Sequence, residues 1–156
     1  MGGAQTEYFK CLPKRGSAVI FVDSNVFIYA VGRPHTLREE AQRFFLQSSQ
    51  EGNRLVTSAE VLQELLHVYL PAGRLATLDA ALELATQGMD RVLPIDLESV
   101  LQARALADSY PELTSRDLLH LAVCQLNRIT ELKTFDRPLL TAFGKRKKRT
   151  IHPPGE

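Results

Sequence analysis

Apolar residues fall along the chain in two rhythms, short continuous runs and longer helical stripes. Residues 18–22 (AVIFV) are a run leaning toward β-branched and aromatic types. That run is too short for a helix and reads as a strand buried on both faces, as in parallel sheets. Ser24 or Asn25 is placed to cap a helix continuing through Val26, Phe27, Ile28 and Tyr29. Gly32, Pro34 and His35 then break the pattern. Thr36 and Glu39 have capping-box spacing, and Leu37, Ala41, Phe44 and Phe45 recur at helical intervals, which predicts a helix over 36–50. A short strand over 54–57 (RLVT) precedes SAEVLQELLHVYL, whose Val61, Leu62, Leu65, Leu66 and Tyr69 form an apolar stripe.

Pro71 and Gly73 close that helix, and another extends to about Gln87. Residues 91–95 (RVLPI) form a weak strand that Pro94 confines to a sheet edge. Asp96 caps a helix that stops near Pro111. Thr114 and Asp117 again have capping-box spacing and open SRDLLHLAVCQLN, after which 131–135 (ELKTF) is the last clear strand. Residues 149–152 offer one further short edge strand. This alternation of strands with helix pairs calls for a parallel sheet covered by helices on both faces. The expected fold is α/β: a single three-layer α/β/α domain with a central parallel sheet of four to five strands.

A length of 156 residues suits one domain, and 44% hydrophobic with 24% charged residues is the balance of an ordinary globule. Residues 1–17, with Gly2, Gly3, Pro13 and Gly16 and no apolar periodicity, read as a loosely ordered extension. The domain then occupies 18–143 and a basic tail 144–156. The net charge of +1 conceals an asymmetry: without KRKKR at 145–149, 14 basic residues face 18 acidic ones, a net of −4. A mildly acidic body thus carries a basic end, readable as a phosphate contact or, preferably, as a solvated terminus. Cys11 and Cys124 match no metal-ligand spacing and suggest no disulfide framework. With no secretory segment and no apolar stretch of about 18 residues, a cytoplasmic protein without a membrane span is expected.

The chemistry lies in the carboxylates. Asp23 stands at the carboxyl end of the first strand, the edge at which open α/β sheets bind ligands. It also stands at a helix start, where a capping role alone is the competing explanation. Asp136 follows the strand 131–135 directly, so the two aspartates face each other if those strands are neighbours. Asp117 opens the helix leading into that last strand, and Glu60 and Glu64 lie one turn apart after RLVT. Capping explains Asp117 through Thr114, and Glu60 through a Thr57 cap. Carboxylates from four segments meeting at one edge suit a hard divalent cation, Mg²⁺ or Mn²⁺. Without one they would repel phosphate and raise one another's pKa.

FVDSNVFIY, TSAEVLQELLHVY, LTSRDLLHLAVC and LKTFDR, in this order and spacing, resemble the PIN domain, and specifically the VapC-like ribonuclease toxins of prokaryotic toxin–antitoxin pairs. The resemblance covers residues 18–143. It implies that Asp23, Glu64, Asp117 and Asp136 are an acidic quartet that holds Mg²⁺ or Mn²⁺ for metal-assisted phosphodiester hydrolysis of RNA, with 5′-phosphate and 3′-hydroxyl products. Glu64 is preferred over Glu60 because the family's glutamate follows V-L-x. Asn25 and Thr134 match positions that support such a site, and His120 is a candidate for steering the carboxylates. A homodimer and a VapB-like antitoxin that blocks the acidic groove are implied as partners.

Three rivals differ in what they need. Glu64/His67 and Asp117/His120 echo the Glu-x-x-His of di-iron bundles, but the β-type segments oppose a four-helix fold. A phosphatase needs D-x-D, and the second residue after Asp23 is Asn25. A catalytically silent PIN-like module that binds RNA or protein is the alternative from another class, opposed by the filled acidic positions.

Overall fold

The computed structural model describes residues 18–149. Its sheet has four parallel strands, β1 (Val19–Val22), β2 (Arg54–Ser58), β3 (Arg91–Leu93) and β4 (Glu131–Lys133), in the order β3-β2-β1-β4. Phe21 of β1 pairs with Val56 of β2 on one side and with Leu132 of β4 on the other. The two central strands are the more deeply buried ones, β1 being continuously apolar, and Phe21 and Val22 are wholly buried. The edge strands are shorter and carry Arg91, Glu131 and Lys133. This is the division expected when helices cover both faces of a sheet. From β1 the chain steps outward through β2 to β3, then returns to β4 on the opposite side of β1. The reversal opens a crevice at the carboxyl ends of β1 and β4.

Among the described residues, seven helices flank the sheet: α1 (Ser24–Val31), α2 (Arg38–Glu51), α3 (Ala59–Tyr69), α4 (Leu75–Gln87), α5 (Leu97–Ala107), α6 (Ser115–Leu126) and α7 (Arg137–Arg149). α1 packs against α2, α3 and α4, while α5 packs on α6. Among the described residues, no helix is long and apolar enough to cross a membrane.

The helix starts correct several sequence expectations. Asp23 itself, in extended backbone, is the N-cap of α1, in place of Ser24 or Asn25. Thr36 does not cap α2; that helix begins after Leu37, whose backbone N–H donates to Nδ1 of His35 at 3.1 Å. β2 runs one residue further than RLVT because Ser58 pairs with Leu93 of the edge strand. Ser58 therefore caps α3 by accepting from the Val61 N–H, and a Thr57 cap cannot explain Glu60. The expected caps at Asp96 and Thr114 form, each as a reciprocal capping box. The basic run 145–149 continues α7 instead of forming a free tail, the helix being anchored by buried Leu139, Ala142 and Phe143. With Arg149 helical, a strand starting there is ruled out, and the rest of 149–152 lies outside the described residues, as does the extension 1–17.

Thr57, fully buried, donates its hydroxyl to the Val22 carbonyl at 2.9 Å, tying β2 to the residue before Asp23. Thr57→Val keeps the shape and leaves that carbonyl without its donor. A loss of about 1–2 kcal/mol is expected, read from the urea midpoint at unchanged m-value.

Candidate active site

Asp23 reaches the crevice from the end of β1 and is only 4% exposed. A carboxylate so deeply placed needs partners. Its Oδ1 accepts from the Ser24 backbone N–H at 2.7 Å and from the Ser24 hydroxyl at 3.3 Å. Its Oδ2 accepts from the Thr134 hydroxyl at 2.7 Å and from Asn25 Nδ2 at 3.4 Å. Thr134, just beyond β4, spends its one donor on Asp23 and accepts from Asn25 Nδ2 (3.2 Å) and the Asp136 N–H (3.0 Å). The hydroxyl's hydrogen-bonding capacity is thus filled. Asn25 completes the clasp, its Oδ1 accepting from the Phe135 N–H at 3.2 Å. Both supporting residues expected from the sequence therefore bind the start of α1 to the turn after β4.

Glu64 enters from α3 and His120 from α6. His120 Nε2 lies 3.5 Å from Asp23 Oδ1 and 3.5 Å from Glu64 Oε1. One ligand atom from each of Asp23, Glu64 and His120 lies within 4.8 Å of the others, a group able to hold a metal ion. Asp117 and Asp136 are not in that group. Asp117 sits one turn before His120 on α6, its Oδ2 accepting from the Thr114 N–H (3.1 Å) and hydroxyl (2.9 Å). Asp136 caps α7 through Oδ1, which accepts from the Leu139 N–H at 3.0 Å. Each of these two aspartates has one carboxylate oxygen engaged in capping.

Arg116, which sequence reasoning missed, has its Nε 3.6 Å from Glu60 and 3.9 Å from Glu64. Its only sequence signal was its place beside Asp117. Glu60 is accordingly tied to the rim of the site, not to its centre.

Charge in this cluster is unevenly distributed. Burial pushes the Asp23 pKa above the ordinary carboxylate value and Glu64 adds to it, against the opposing pull of His120 and the Thr134 bond. Burial also acts to raise Glu64, but the hydrogen bonds from His120 and Ser24 and the charges of His120 and Arg116 hold its pKa below the ordinary value. For His120, burial disfavours the cation, but the Glu64 bond and the charges of Asp23, Glu64 and Asp117 raise its pKa. These shifts favour an imidazolium at His120 as the counter-ion of the two carboxylates. His120 packs against Phe21, with ring centroids 5.6 Å apart, and its buried Nδ1 has no hydrogen-bond partner among the described residues.

These directions predict how metal-free stability depends on pH. The raised His120 pKa gives stability that is full below its unfolded value and lost as pH rises through the folded value. Asp23, also raised, loses stability in the same sense as it ionises. Glu64, lowered, contributes above its unfolded value and loses that contribution in acid. Thermal melts in chelator should show the protein more stable near about pH 6 than near about pH 8. His120→Gln should flatten that difference; an unchanged slope would remove His120 as its source.

Two buried carboxylates and a histidine at one sheet edge suit a small divalent cation, whose charge would replace that of the imidazolium.

The PIN domain family model matches residues 20–142. Over 125 residues the chain is 50% identical to Ribonuclease VapC23 of Mycobacterium tuberculosis, an alignment covering 80% of this chain and 98% of that protein. The crystal structure of M. tuberculosis VapC20, described as a sarcin–ricin-loop-cleaving toxin, matches with a TM-score of 0.68 at 19% identity, covering 79% of this chain and 94% of that one. A VapBC2 structure from Rickettsia felis, bound to a DNA fragment from its promoter, matches with a TM-score of 0.55 at 13% identity, covering 76% of this chain and 99% of that one.

Proposed function

Because this chain belongs to the PIN domain family and is half identical to a VapC ribonuclease along nearly the whole of that relative, we propose that it is a metal-dependent endoribonuclease toxin. The observation that carries the reading is the meeting of Asp23 and Glu64, from separate elements, in a buried group with His120 at the crevice between β1 and β4. Asp23, Glu64, Asp117 and Asp136 are the proposed metal ligands. When bound, Mg²⁺ or Mn²⁺ supplies Lewis acidity and positive charge for phosphodiester hydrolysis.

The chain's own groups prepare that site. Thr134 and Asn25 fix both the rotamer and the accessible lone pairs of Asp23. His120 stands between the Asp23 and Glu64 carboxylates and holds them together. Arg116 balances Glu60 and Glu64 at the rim. Thr114 and Leu139 N–H orient Asp117 and Asp136 through their capping bonds.

A VapB-like antitoxin, a homodimer and action in the cytoplasm complete the proposal; the relatives' names and the VapBC likeness support the antitoxin. A silent binding module is the weaker reading, since none of the four acidic positions is substituted.

Purified protein incubated with total cellular RNA should generate new 5′ ends in Mg²⁺ or Mn²⁺ and none in chelator. Cleavage that persists in chelator, or no cleavage in either metal, would overturn the reading.

A further inference from the structure

Beside the carboxylates lies an aromatic array that the hydrolytic chemistry does not use. Tyr29 is one helical turn beyond Asn25 on α1, so the two share a face of that helix. Asn25 bonds the Phe135 N–H, and the Phe135 ring stands edge-on to Tyr29 with centroids 5.4 Å apart. Against Tyr29 lies His35, with centroids 4.6 Å apart and planes inclined at 31°, a tilted ring contact. The Lys133 ammonium sits 4.8 Å from the Phe135 centroid and pairs with Glu40 at 3.1 Å.

His35 is held in place and yet exposed. Its Nδ1 accepts from the Leu37 N–H at 3.1 Å, which puts the ring hydrogen on Nε2. Nε2 has no protein partner among the described residues, and the residue is exposed. If His35 served only to pin the 32–37 turn, neither an exposed ring nor a free donor would be needed. A flat ring with fixed orientation, backed by a second ring and linked through Phe135 and Asn25 to Asp23, is what recognition of an unstacked nucleobase beside the acidic cluster uses.

We propose that His35, backed by Tyr29, is a stacking platform for a base of the RNA substrate flanking the scissile phosphate, with Nε2–H available to an acceptor on that base. This rests on the ribonuclease reading above. His35 is thus a substrate-positioning residue outside the acidic cluster.

The test uses the full chain and a short RNA oligonucleotide spanning a bond that the wild-type protein cuts. His35→Ala should raise KM by about 5- to 100-fold with kcat changed far less, alongside a small fall in melting temperature from the lost Leu37 bond that His35→Phe shares. His35→Phe, which keeps the stack, should restore most of the loss. In the Asp23→Asn background, 2-aminopurine placed at successive positions should be quenched on binding at one position, and His35→Ala should abolish that quenching. Wild-type cleavage with an unimpaired His35→Ala variant, or failure of Phe to rescue together with no position-specific quenching, would overturn the platform. Failure of the wild type to cut any RNA would instead defeat the ribonuclease reading on which it rests.

Discussion

Asp23→Asn should lower RNA cleavage by at least about 100-fold while keeping the cap of α1. Asparagine is isosteric and a strong N-cap, so it still accepts from the Ser24 N–H at the start of α1. It removes the charge, which burial already disfavours, and replaces Oδ2, the acceptor of the Thr134 hydroxyl and Asn25 Nδ2, with an amide donor. Asp23→Ala, by contrast, should lose both cleavage and about 0.5–2 kcal/mol of stability, because the cap goes as well. Comparing the two variants by cleavage assay and denaturant midpoint separates the chemical role of the carboxylate from its structural one. Near-normal cleavage by Asp23→Asn would remove this residue from the catalytic machinery.

The largest stability effect is expected at Phe21. This side chain is completely buried on the central strand, flanked by β2 and β4, and packs on His120. Truncation to alanine leaves a cavity that a sheet pinned on both sides cannot readily close. The expected loss is about 3–5 kcal/mol, a large share of the roughly 5–15 kcal/mol that stabilises a typical domain. Leu101→Ala on α5, where the side chain is 59% exposed, is the matched control and should change stability by less than about 0.5 kcal/mol. Equal denaturant midpoints for the two variants would mean that Phe21 is not packed as described. Because Phe21 also supports the His120 ring, its loss should loosen the carboxylate cluster before the domain unfolds.

Much of the fold was legible in the residues because its determinants are local. The apolar run of β1 and the helical stripe of α3 announce themselves by period. Asp96 and Thr114 form their expected caps because donor and acceptor lie three residues apart and need no distant partner. β3 is an edge strand as expected, though it stops at Leu93, directly before Pro94, which has no N–H to donate to a ladder. Candidate carboxylates were legible for a related reason: an acidic residue directly after an apolar run is placed at a sheet edge by the chain itself.

Long-range pairing settled what adjacent residues could not. Thr57 and Ser58 are chemically alike, and which one caps α3 depends on β2 extending to meet Leu93 of β3. Thr57 is then drawn into the sheet to serve Val22. Local spacing likewise favoured Thr36 as a cap, but the turn is organised around His35, which packs against Tyr29 and receives the Leu37 N–H.

The linear order of residues by itself determined the strands, most of the helices, and the acidic groups available to a site. Only the tertiary structure decided that β4 lies beside β1, bringing Thr134 onto Asp23, and that α3 and α6 deliver Glu64 and His120 to the same few ångströms. The physical reason is range. Periodicity and capping act within one or two turns, whereas the protonation of a buried carboxylate depends on the charges and donors that four separate segments bring to it.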